Sequence, residues 1–167
     1  MAKAKLVRRS QKLNFMDVGT ESAPDFQRMT GFTSLPTNKE AKEYSRQYVD
    51  EDFERSDVVG VTTSKDFTFD QYADDSVHAK IVDIIDNDRI GDDAYVDILE
   101  LDLSVGASPF PARKRTFAVM AGTEGDSTDA YTYSGTFKAV GDAVKGTATL
   151  DAANQAATFT AEETPAG

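Results

Sequence analysis

Over much of this chain apolar and polar residues alternate with a period of two. In Asp66-Phe67-Thr68-Phe69-Asp70 the two phenylalanines share one face and the polar groups the other, as in a half-buried strand. Residues 13–18 and 26–35 mix apolar and polar positions and also read as strands. From residue 95 onward the pattern recurs. Residues 95–105 place Val96, Ile98 and Glu100 on one face and Leu99, Leu101 and Leu103 on the other. Because that alternation is imperfect, a bulge is expected near Leu99. Further strands are predicted at 116–121, 130–140, 145–150 and 156–161, separated by Gly-, Pro- and Asp-rich turns at 106–111, 122–129 and Gly141-Asp142. Short strands with turns every ~8–12 residues indicate a β-sandwich or barrel.

One segment follows the helical period instead. Val77, Ile81, Ile84 and Ile85 form a narrow apolar stripe over residues 75–90, with Asp74 or Asp75 as N-cap and Gly91 as the stop. Residues 37–57 follow neither period. Their only large apolar groups are Tyr44, Tyr48, Val49 and Phe53. A helix fits by propensity, but Tyr44 and Tyr48 alone give it little support. A loop or hairpin projecting from the body is the preferred reading, and loops this long usually have a function. Residues 1–12 hold Lys3, Lys5, Arg8, Arg9 and Lys12 without an acid, the pattern of a basic arm that orders against a partner. The organisation expected is therefore an arm at 1–12, one domain at 13–161 and a tail at 162–167.

Charge sharpens this picture. The 167 residues carry 29 Asp/Glu and 18 Lys/Arg, a net charge of −11. The acid is unevenly placed: residues 1–47 hold 9 basic and 5 acidic residues, and residues 48–167 hold 9 and 24. A body this acidic repels polyanions, so tight wrapping of nucleic acid is disfavoured, while a surface past which a polyanion slides is not. With no cysteine, disulfides and thiolate metal sites are excluded. No apolar run reaches the ~18–20 residues of a membrane span. The basic N-terminus has no apolar stretch after it, so synthesis in the cytosol of the producing cell is expected.

Catalytic chemistry finds little footing. The single histidine, His78, lies beside Asp74 and Asp75 at the start of the helix, where a surface position is expected. There is no Gly-x-Ser-x-Gly, no P-loop and no Gly-x-Gly-x-x-Gly. Asp86, Asp88, Gly91 and Asp97 match part of a calcium loop, but Ile90 stands where an oxygen ligand is required. An Asp- and Asn-rich helix exit is the preferred reading. Arg113-Lys114-Arg115, the dense basic cluster outside the N-terminus, reads as an edge protector or an acid-pairing surface. No enzyme activity and no cofactor are expected.

In the C-terminal half, Tyr133-Ser134-Gly135-Thr136-Phe137-Lys138 leads through Gly141-Asp142 to Val144-Lys145-Gly146-Thr147-Ala148. This succession resembles the tail tube (major tail) proteins of long-tailed phages. The helix from Asp74 to Asn87 resembles the helix flanking that family's sandwich, and the polar stretch 37–57 sits where the family keeps its long ring-stacking loop. The resemblance implies a mainly β sandwich or barrel-like fold with one flanking helix, a projecting loop and an extended arm. It also implies six-membered rings stacked into a tube that conducts DNA without binding it tightly, located in the virion, with a tape measure protein and a tail terminator as further partners. Contacts between subunits and rings would come from Lys3, Lys5, Arg8, Arg9, Lys12, Lys39, Lys42, Tyr44, Arg46, Tyr48 and Phe53. Asp66, Asp70, Asp97, Glu100 and Asp102 are the candidates to line the lumen. The sequence ends at Gly167 without the additional C-terminal surface domain some members carry, so such an appendage is not expected. Two other readings remain open: another virion or secretion-tube component, such as a tail terminator or capsid-surface protein, or a calcium- or carbohydrate-binding β-module.

Overall fold

The computed structural model describes residues 4–162. Its strands are β1 (Lys12–Asp17), β2 (Phe26–Arg28), β3 (Phe32–Ser34), β4 (Thr37–Arg46), β5 (Arg55–Asp70), β6 (Tyr95–Asp102), β7 (Phe110–Glu124), β8 (Thr132–Ala139), β9 (Val144–Leu150) and β10 (Ala156–Ala161). One helix, α1 (Ser76–Asp86), lies between β5 and β6. All pairings are antiparallel. β7 organises the topology. One of its edges pairs with β6, while the other pairs with β9 over residues 110–114 and with β8 from Phe117 onward. The β9 half closes a six-stranded barrel in the order β7-β6-β1-β2-β10-β9. The β8 half continues into an open sheet of β8, β5 and β3, with β4 also on β5.

Two cores follow from this fork. Leu13, Phe15, Phe26, Leu99, Leu101 and Ala112 fill the barrel. Met16, Phe67, Phe69, Val96, Ile98 and Phe137 pack with Val77, Ile81 and Ile84 of α1 on the opposite face. No bulge occurs at Leu99, because β6 keeps its register with both neighbours through that residue. Ile98 lies beneath the helix and Leu99 inside the barrel, so one regular strand is buried on each face in turn.

Several local expectations change. The helix begins where expected, with the Asp75 carboxylate accepting from the Val77 and His78 amides, but it ends at Asp86, followed by Asn87 and by Asp88 at φ 49°. The Asp86–Gly91 segment is thus a helix exit. His78 is fully buried, not on the surface. Its ring stacks on Phe69 with centroids 4.5 Å apart, Nδ1 accepts from the Tyr72 amide at 3.1 Å, and Nε2 lies 2.7 Å from the Thr30 carbonyl. Its apolar surroundings come from β3 and β5, which sequence neighbours do not reveal. The Arg113–Arg115 cluster lies inside β7, between β6 and β9, so it guards no edge.

Candidate assembly interface

The polar segment 37–57 is not a helix; it belongs to a hairpin projecting from the body, paired along most of its length where a loop was the other form expected. β4 pairs with the first part of β5 from Thr37↔Lys65 to Arg46↔Arg55, leaving only residues 47–54 as the turn. β8 covers β5 only from Ser64 onward, so residues 55–63 extend with β4 as a two-stranded ribbon. At ~3.3 Å per residue the ten positions of β4 carry its tip about 30 Å from the body. A register shift between Lys42 and Glu43 leaves Val59 without an opposite residue and keeps Val58 and Val61 on the same face as Ala41. Val58 and Val61 are 64% and 59% exposed. An isolated two-stranded hairpin is marginal in water, and this one also shows apolar groups and two free strand edges.

The tip is nonetheless ordered by its own side chains. Arg46 donates to the Tyr48 hydroxyl at 3.1 Å and pairs with Asp57 at 2.6 Å. Those two partners hold its guanidinium above the ordinary pKa. Arg55 binds Glu51 through two nitrogens, at 2.8 and 2.5 Å, and lies over the Tyr48 ring. Val49 and Phe53 are left exposed, as are Asp50, Asp52 and Glu54.

The N-terminal residues divide. Lys3 lies outside the described residues, and Lys5 and Arg8 are exposed. Arg9 folds back, donating to the carbonyls of Lys12 at 2.6 Å and Leu35 at 3.4 Å. Lys12 is the first residue of β1, not part of an arm, and pairs with Asp102 at 2.9 Å. Hydrogen bonds from Ser104 and from Lys12 pull the Asp102 carboxyl down to about 2.

The five candidate lumen acids fall on two faces. Asp66 and Asp70 on β5 and Asp97 on β6 lie on the sheet face opposite α1. Asp66 accepts from Asn38 and Thr136, both at 3.0 Å, and Asp97 from Thr116 at 2.5 Å. Glu100 and Asp102 lie on the helix-side face, beyond the end of the helix, where a cleft of about 680 Å³ opens between β6, β7 and the Leu35–Pro36 turn at the base of the ribbon. Here Lys65, only 1% exposed, bonds Glu100 at 2.5 Å and the Thr37 hydroxyl at 2.6 Å.

Apart from Glu162, the other charged residues of the cleft are basic. Among the described residues no carboxylate lies within ion-pair distance of Arg9, Arg113, Arg115 or Lys145. Arg115 Nε on β7 and, two strands away on β1, Asn14 Oδ1 are buried without partners among the described residues. These residues were not legible as a group. They come from the turn before β1 and from β1, β7 and β9, and the closure of β7 onto β9 brings Arg113 beside Lys145.

The fold of this chain, a closed barrel fused to an open sheet with one flanking helix, is similar to that of solved tail tube structures. The SPP1 tail tube has this fold: it is 10% identical, superposes with a TM-score of 0.66, and the match covers 84% of this chain and 78% of that one. The tail of the empty GTA particle, refined with C6 symmetry, matches with a TM-score of 0.58 at 9% identity, over 83% and 97% of the two chains. The PVC sheath–tube complex of an extracellular contractile injection system matches with a TM-score of 0.54 at 9% identity, over 85% and 92%. No protein-family model and no curated protein matches the chain.

Proposed function

We propose that this chain is the structural subunit of a phage tail tube, forming six-membered rings that stack into a hollow tube in the virion. The observation that carries the reading is the ribbon. A two-stranded element with both edges free and Val58, Val61 and Phe53 in solvent is a liability in a monomer and an asset in a subunit whose neighbours cover it. Six-fold symmetry is supported by the C6 arrangement of the GTA tail, which shares the fold. The chain has no enzymatic role in this reading. Lys3, Lys5 and Arg8, with Lys39, Lys42, Tyr44, Arg46, Tyr48 and Phe53 of the ribbon, meet neighbouring copies. Arg9 and Lys12 already bind the body and act through the cleft.

Asp66, Asp70 and Asp97 share the face opposite the helix, and that face turns toward the lumen. Its carboxylates repel the DNA phosphates, so DNA passes without adhering. A tape measure protein would fill the lumen before DNA, and a terminator would close the last ring. Negative-stain microscopy of the concentrated protein is expected to show hollow filaments or rings of uniform diameter. Monodisperse monomers at every salt and protein concentration would refute the proposal.

A further inference from the structure

We propose that the acidic tip of the ribbon in one copy docks into the basic cleft at the ribbon's base in the next copy. The inference rests on the tube-subunit reading and names the two surfaces that join one copy to another.

The two surfaces complement each other in charge and in apolar character. The tip presents Asp50, Asp52 and Glu54 around the exposed Phe53, while Glu51 is already committed to Arg55. The cleft offers Arg9, Arg113 and Lys145 around apolar walls from Leu35, Pro36 and Pro111, with Arg115 and Lys39 at its adjoining end; of its acids, Glu100 and Asp102 are already paired with Lys65 and Lys12, which leaves Glu162 against these cations. In a chain of net charge −11 this is a local reversal of sign. An acidic occupant would give these cations the carboxylates they lack among the described residues. The buried, unpartnered Arg115 Nε is a donor awaiting an acceptor.

Geometry makes the contact intermolecular. The tip and the cleft lie at opposite ends of the same ribbon, about 30 Å apart, and the pairing of β4 with β5, continued on both sides of the bulge, prevents the tip from folding back. Two different complementary patches on one subunit make a head-to-tail contact, which repeats from copy to copy and generates a ring or a filament. The internal bonds of the tip fix its shape before docking, so less order is lost on binding. The Lys65–Glu100–Thr37 cluster anchors the ribbon's base beside the cleft and so holds the donor and acceptor ends of each copy in fixed relation.

Because the chain contains no cysteine, single cysteines report the contact directly. Asp52→Cys protein mixed with Lys145→Cys protein and mildly oxidised is expected to give a mixed disulfide dimer. Each protein alone should give about a tenth as much cross-link or less, since a disulfide needs closely apposed β-carbons. Reversing the tip (Asp50→Lys/Asp52→Lys/Glu54→Lys) or the cleft (Arg113→Glu/Lys145→Glu) should each raise the concentration needed for assembly about tenfold or more, with unchanged thermal melts. A one-to-one mixture of the two reversed proteins should assemble again, because each tip then finds an opposite cleft.

Tubes from either reversed protein at the wild-type concentration, without the mixed disulfide, would overturn the docking and leave the tube reading standing. The mixed disulfide in small oligomers, with no tubes, would support the docking and overturn the tube. Neither association nor cross-link would overturn both. An oligonucleotide retained by wild type but not by Arg113→Glu/Lys145→Glu, with no mixed disulfide, would assign the cleft to a polyanion and overturn the docking.

Discussion

Replacing Glu100 by glutamine leaves the Lys65 ammonium, 1% exposed, facing only an amide and the Thr37 hydroxyl. Removing one partner of a fully buried ion pair costs about 3–5 kcal/mol. Here the Glu100 side chain is 42% exposed, so solvent screens part of the attraction and the lower end applies, about 2–3 kcal/mol. At about 2–4 °C per kcal/mol for a chain of this size, the midpoint of thermal unfolding should fall by about 5–10 °C. Lys65→Met is expected to be gentler, about 1 kcal/mol or less, because the abandoned Glu100 can turn to water while methionine fills the apolar part of the lysine's space. The double variant Lys65→Met/Glu100→Gln should lie close to Lys65→Met and well above Glu100→Gln. Urea unfolding of the four proteins, each as a dilute monomer at pH 7, reads all three differences with no change in slope. A Glu100→Gln cost below about 0.5 kcal/mol, or equal costs for the two single variants, would refute the reasoning that a buried cation depends on this carboxylate.

Asp102→Asn should cost about 1 kcal/mol at pH 7, a value reduced from the full pKa shift because the side chain is 27% exposed. The carboxyl is depressed from 3.8 to about 2 by Ser104 and Lys12, so its contribution is complete above pH 4. It is lost as the pH falls through 2, and wild type and variant should converge in stability over pH 4 to 2 in denaturant titrations. His78→Ala is expected to lower stability by about 3 kcal/mol, since it removes a fully buried ring stacked on Phe69 and leaves the Thr30 carbonyl and Tyr72 amide without partners. A melting curve within 2 °C of wild type would contradict that, at about 2–4 °C per kcal/mol. Val58→Lys/Val61→Lys should change stability by less than about 0.5 kcal/mol, because both positions are solvated in the monomer, yet abolish filaments in negative stain.

Some of this protein was determined locally, and the sequence alone displayed it. The α1 stripe of Val77, Ile81 and Ile84 and its Asp75 cap need no distant partner, and the Phe67/Phe69 alternation fixes which face of β5 is apolar. The acidic composition and the missing cysteine, likewise properties of the chain itself, narrowed the chemistry. Tertiary structure decided the rest, because period-two patterning says which residues share a face but not what covers it. Ile98 and Leu99 are both buried because the helix covers one face of β6 and barrel closure the other, and the sequence mimics a bulge there. Lys65 and His78 are polar by composition and core by position, each satisfied by partners far away in the chain. The ribbon carried no burial signal, since backbone pairing alone builds it and, among the described residues, no other element covers its faces. The basic cleft exists only where β7 meets β9, beside the base of that ribbon. The candidate interface was therefore legible as separate charges and became a pair of complementary surfaces only through the fold.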